Sequence, residues 1–231
     1  MIDIPTQLLE GYRLFRRDLY PIHDSLYRNL SENQSPRTMI IACADSRVDP
    51  AAIFSAGPGD LFVVRNVANL IPPCESGGTY HGTSAALEFA VTGLQVQHIV
   101  IMGHAFCGGI KACLDEAESR PVGQFIGPWV GIASAARDAV LSRQRSADAK
   151  TRQRELELES IKHSITRLKE YPFVAEAIQG RGMEIHGAWF SIADGELFWL
   201  DQRNDRFTSV PHSEPTESPG PSGAKAKTRK K

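Results

Sequence analysis

The stretch HIVIMGHAFCGG, His98–Gly109, decides the fold. Its first half, HIVIMG (His98–Gly103), is an unbroken apolar run too short for a helix. It reads as a strand covered on both faces, the kind found in parallel sheets. His104 and Cys107 stand three apart in the turn that follows, and GGIKACLDEA then opens a helical pattern. Upstream, MIIA (Met39–Ala42) and LFVVRN (Leu61–Asn66) are two more buried strands, the second entered through the turn GPGD. TSAALEFAVTGL (Thr83–Leu94) carries helical spacing between them and the third strand. Strands alternating with helices imply right-handed crossovers and a parallel sheet.

Downstream, Trp129, Val130, Ile132, Ala133, Ala136, Val140 and Leu141 recur at helical spacing, as do Leu158, Ile161, Ile165 and Leu168. MEIHGAWFSIADGELFWL reads as two strands joined at Asp194-Gly195, a strong hairpin signal. The expected fold is therefore α/β: a mainly parallel central sheet with flanking helices, an antiparallel C-terminal edge hairpin and an N-terminal helical arm. Residues 1–33 are expected to form the arm, residues 34–211 one α/β domain, and residues 212–231 a disordered basic tail ending KAKTRKK. The arm is amphipathic, with Leu8, Leu9, Tyr12 and Phe15 on one side, and lacks the charge order of a secretory signal.

The 231 residues carry a formal net charge of -1, which offers no electrostatic footprint for nucleic acid or an anionic membrane. No apolar stretch approaches the roughly 20 residues of a membrane helix. The expected compartment is the cytoplasm, where thiols stay reduced and the four cysteines read as ligands, nucleophiles or core residues rather than disulfide partners.

Cys43 ends the first strand in ACADSRVDP (Ala42–Pro50), and His104 ends the third. In such a sheet both of these strand ends project into the crevice at the carboxyl edge, where ligands bind. Two thiolates and an imidazole make a Cys₂His set for one zinc ion, and three protein ligands leave a fourth position free. Gly108-Gly109 lets backbone approach the site, and the helix start favours the thiolate of Cys107. Cys74, in a loop, and Cys113, inside a helix pattern, stay outside. Asp45 is either a fourth ligand or an acceptor beside the metal, with Arg47 able to hold its carboxylate through a bidentate pair.

These residues resemble the β-class carbonic anhydrases, whose pattern is Cys-x-Asp-Ser-Arg followed by His-x-x-Cys-Gly-Gly, with FVVRNVANLIPP (Phe62–Pro73) between. The likeness runs roughly from Gln34 to Leu200. It implies Cys43, His104 and Cys107 as zinc ligands and an Asp45–Arg47 dyad that gates the fourth position. It implies reversible hydration of carbon dioxide to bicarbonate and a proton by zinc-bound hydroxide, in a homodimer or homotetramer. Ile40 replaces the tryptophan of the bicarbonate-shut type, and Gln34 in NQSPR matches the plant-like type. By position, the substrate pocket matches Gln34, Phe62, Val67 and Tyr80. Apolar Phe62 and Val67 suit an uncharged linear substrate, and Gln34 and the Gly108 N–H can donate to the forming bicarbonate. His81, where the plant-like pattern has glycine, is a candidate proton relay. Three alternatives remain: hydrolysis of carbon disulfide or carbonyl sulfide on the same scaffold, a non-enzymatic zinc scaffold, and a cysteine-nucleophile or redox enzyme that would keep its activity after chelation.

Overall fold

A computed structural model of the chain describes residues 3–75, 77 and 81–211. The tail expected over 212–231 lies outside the described residues, as does Tyr80. The arm is a near-continuous helix: α1 (Thr6–Leu14), a π-helical stretch at Phe15–Leu19, and α2 (Tyr20–Leu30). It buries none of its residues. Its rings gather on one another, with Phe15 6.5 Å from Tyr12 and 5.9 Å from both Tyr20 and Tyr27. Of the apolar side predicted by the spacing, Leu8 and Tyr12 remain exposed while Leu9 and Phe15 are half-buried, and Ile22 further along the arm is exposed as well.

The rest of the chain runs β1 (Thr38–Cys43), α3 (Pro50–Ile53), β2 (Leu61–Asn66), α4 (Gly82–Glu88), β3 (His98–His104), α5 (Gly108–Ala117), α6 (Ile126–Val130), α7 (Ser134–Arg143) and α8 (Ala149–Leu168). It finishes with α9 (Pro172–Arg181), β4 (Glu184–Ser191), β5 (Glu196–Asp201) and β6 (Arg206–Ser209). The strands form one sheet in the order β2-β1-β3-β4-β5-β6. β2, β1, β3 and β4 are mutually parallel, while β5 and β6 return antiparallel. The Asp194-Gly195 turn is where expected, with Gly195 at φ 69°. Besides the single-turn α3, two elements have no counterpart in the sequence reading. β6 extends the edge by a third antiparallel strand, and α9 is bracketed by Pro172 in its first turn and left-handed Gly182 at its end.

Alternation along the strands explains the double burial. Met39, Ile41, Ile99 and Ile101 face α8 and α9 with Ile161, Ile165 and Val174. Ile40, Ala42, Val100 and Met102 face the opposite way into a second apolar layer. A third cluster caps the carboxyl end, where Cys43, Cys107 and Cys113 pack with Val130, Val140 and Leu156. α8 crosses close below that end: a Cβ on Gly103 would stand 2.8 Å from Ile161 Cδ1. The chain leaves β1 for one neighbour, β2, and later returns to the other, β3. Their carboxyl ends therefore border the crevice where a doubly wound sheet binds ligands.

Candidate metal centre

Cys43 is the last residue of β1, His104 the last of β3, and Cys107 the residue that opens α5. Their donor atoms all lie within 4.8 Å of one another, and the residues are 5%, 1% and 1% exposed. Two backbone devices bring them together. Phe106 takes a left-handed φ of 54° between His104 and Cys107, and Ala68 and Asn69 take φ of 65° and 47° where the chain leaves β2. Gly109 permits the close fit of α5 on that turn, since a Cβ there would meet Val67 Cγ1 at 2.6 Å and Ala68 Cβ at 2.9 Å. A Cβ on Gly108 would meet nothing within 4 Å.

The donor set fits a divalent cation. His104 Nδ1 donates to the Ala105 carbonyl, 2.9 Å away, which leaves Nε2 as the lone-pair nitrogen. That Nε2 is buried and has no hydrogen-bond partner among the described residues. A buried polar atom without a partner costs about 1–3 kcal/mol, and a metal ion would satisfy it. The two sulfurs are 3.8 Å apart. Hydrogen bonding from Cys107 draws the Cys43 thiol down to about 4, while the same contact pushes Cys107 up. Two thiolates 3.8 Å apart repel each other, and a cation between them would offset that repulsion. Peptide N–H groups of Asp45 and Ala68 favour the Cys43 thiolate, and those of Gly109 and Ile110 favour that of Cys107. Burial pulls His104 down, but Cys43, the Ala105 carbonyl and Asp45 together outweigh it and the net shift is upward.

Asp45 is turned to Arg47. Its Oδ1 accepts from Arg47 Nε at 2.9 Å and from the Arg47 peptide N–H at 3.0 Å, and its Oδ2 accepts from Nη2 at 2.7 Å. The Arg47 guanidinium holds this carboxyl well below the usual range. Asp45 Oδ2 still stands 3.9 Å from His104 Nε2, at the lip of the donor cluster.

Of the other expected pocket residues, Val67 packs in the cluster that holds Cys43 and Cys107, and Gly108 starts α5. Phe62 is set apart: it pairs with Met39, four rungs below the Cys43–Asn66 pair, about 13 Å along the strand. Its ring meets Phe89. Gln34 is exposed and lines a surface cleft with Tyr27, Leu30, Pro58 and Gly59. His81 is exposed and hydrogen-bonds the Gly77 carbonyl through Nε2 at 2.7 Å. Cys113 is a core thiol raised to about 11 by burial, and Cys74 is exposed.

Two supporting residues escaped the sequence reading. Glu157 on α8 is buried behind Cys107. It accepts the Cys107 N–H at 3.0 Å, the Gln153 amide at 3.2 Å and the Trp189 indole at 3.2 Å. Burial raises its pKa despite those donors. Its signal was its place in the row Glu157, Ile161, Ile165, a carboxylate in an otherwise apolar i, i+4 stripe. Arg65 on β2 braces the other ligand loop, donating to the Cys43 carbonyl at 3.0 Å and pairing with Asp49 at 3.3 Å.

A family model described as carbonic anhydrase matches residues 38–197. The chain is 37% identical over 195 residues to "Beta carbonic anhydrase 5, chloroplastic" of Arabidopsis thaliana, covering 83% of this chain and 63% of that protein's length. Its fold superposes on the structure of the β-carbonic anhydrase CcaA with a TM-score of 0.80 at 31% identity, over 88% of this chain and 98% of that one. A tetrameric β-carbonic anhydrase from Sordaria macrospora superposes with a TM-score of 0.71 at 30% identity, over 84% and 92%.

Proposed function

The chain belongs to the β-carbonic anhydrase family, and from that premise we propose that it catalyses the reversible hydration of carbon dioxide with one zinc ion per chain held by Cys43, His104 and Cys107. The observation that carries this reading is the partnerless His104 Nε2 beside two sulfurs 3.8 Å apart, in front of an Asp–Arg pair. When bound, zinc supplies Lewis acidity, which makes water acidic enough to yield a nucleophile near neutral pH. The chain's own groups do the rest.

Asp45, held ionised by Arg47, can only accept hydrogen bonds. It therefore admits an oxygen that still carries a proton and repels one that offers a lone pair. This selects hydroxyl over a bare anion at the lip of the site and fixes which lone pair faces the substrate. Val67 gives an apolar wall suited to an uncharged linear gas, and the Gly108 N–H at the start of α5 can donate to the forming bicarbonate. Gln34 and Phe62 keep a substrate role only where a second copy borders the site. The exposed apolar residues of the arm support assembly as a homodimer or homotetramer. The two adjacent thiolate ligands suit a reducing compartment, and the cytoplasm is the compartment we assign.

The test is stoichiometric zinc together with a stopped-flow hydration rate on the purified chain. Zinc at one equivalent without hydration overturns the reading. A parallel assay with carbon disulfide and carbonyl sulfide on the same preparation separates the hydrolase alternative. A non-enzymatic scaffold with Asp45 as fourth ligand is disfavoured by the engagement of both its oxygens with Arg47.

A further inference from the structure

At the opposite end of the sheet, the first residues of β3 and β4 build a second group of converging donors. His98 and Glu184 are paired on one rung, and His186 lies two residues on from Glu184, so all three project from the same face. That face is the one turned away from α8, since the alternate residues Ile99 and Ile185 pack in the core shared with Ile161 and Ile165. His98 Nδ1 is 3.3 Å from His186 Nε2 and 3.3 Å from Glu184 Oε2, and His186 Nε2 is 3.5 Å from the same oxygen. Three donors bound to one ion at about 2.1 Å, spaced at tetrahedral angles, stand about 3.4 Å apart. The observed triangle has that size.

We propose that His98, Glu184 and His186 form a second, peripheral site for a first-row transition-metal dication, with zinc as the ion it takes. Without an ion, one ring nitrogen can donate to the other at 3.3 Å, which leaves Glu184 to solvent. If both facing nitrogens carry protons, two N–H groups confront each other. One dication uses all three lone pairs at once. Two imidazoles and a carboxylate are a donor set zinc accepts, with the remaining position left to solvent. The Trp199 ring, 5.4 Å from that of His186, closes one side and limits the imidazole's rotation. His98 is six residues from His104 on the same strand, about 20 Å away, so an ion here clamps β3 to β4 without reaching the reacting atoms.

The test uses the protein carrying one zinc per chain, titrated with cobalt(II) and, separately, with zinc. The expected result is a second equivalent per chain. For cobalt it gives the visible bands of a nitrogen and oxygen site with no thiolate-to-cobalt charge transfer. His98→Gln and His186→Gln should each weaken the second equivalent at least tenfold, with hydration unchanged within twofold. Added zinc should raise the thermal midpoint of the parent protein and not of the variants. A single equivalent in the parent overturns the proposal. So does a second equivalent that survives both substitutions, or a cobalt spectrum dominated by thiolate charge transfer.

Discussion

His98 and His104 sit at opposite ends of one strand, and the donors gathered around them differ in both burial and charge. At the carboxyl end, the His104 side chain is sealed from solvent and its companions are two buried sulfurs. At the amino end, the side chains of His98, Glu184 and His186 are 38%, 62% and 22% exposed and bring one carboxylate. A buried pair of thiolates without a cation is costly, so the upper set would hold the proposed ion tightly. The lower set is open to water, so the ion proposed there would exchange. Charge and access, more than donor count, separate an obligate metal site from an exchangeable one.

The largest expected effect breaks the upper set. Cys107→Ala should remove the catalytic zinc and lower hydration by about a thousandfold or more, while the lower site still binds one equivalent by metal analysis. Loss of both equivalents would mean the two ends are not independent. Next, Asp45→Asn should keep zinc content unchanged and lower hydration by about 10²- to 10⁴-fold. If zinc leaves with it, Asp45 is a ligand and the upper set has four members.

A smaller effect tests the support behind Cys107. Glu157→Leu leaves the Cys107 N–H and the Trp189 indole without their acceptor. It should cost about 1–3 kcal/mol of stability, read from the denaturant midpoint. The smallest effect is a pH dependence at the lower end. Burial, helped by His98, lowers the pKa of His186, and Glu184 opposes this while Lys169 lines the cleft beside it. Its folded value is then below its unfolded one. The stability it contributes is present above the unfolded value, about 6.5, and is lost as pH falls through the folded value. Zinc affinity at this site should be nearly flat from pH 8 to 7. Below about 6 it should fall, by up to about tenfold per unit for each histidine that protonates. An unchanged affinity at pH 5.5 would rule out imidazole donors.

Much of the upper end was legible in the sequence because its determinants are local. Apolar runs ending in Cys43 and His104, and the three-residue step to Cys107, fix strand ends and a turn. The parallel order followed from strand–helix alternation. Glu157 was hidden because a single carboxylate in a helix pattern looks like a surface residue until the fold buries it. The lower triad was hidden for another reason. His98 and Glu184 are 86 residues apart and meet only through the register of β3 with β4, which no spacing along the chain encodes. β6 was missed because its four residues, RFTS, offer no apolar alternation to read.

Phe106 holds a left-handed backbone that a bulky residue adopts at a cost of about 1–3 kcal/mol, and its side chain is exposed rather than anchored in the core. A screen that rewards only heat resistance of the metal-free chain would therefore select Phe106→Gly, which removes the penalty at that position. The winner would carry a slacker link between His104 and Cys107, with more loop entropy to lose on each metal capture. Ranked by melting temperature it would look improved; ranked by how long it retains zinc against a chelator, it would fall behind its parent.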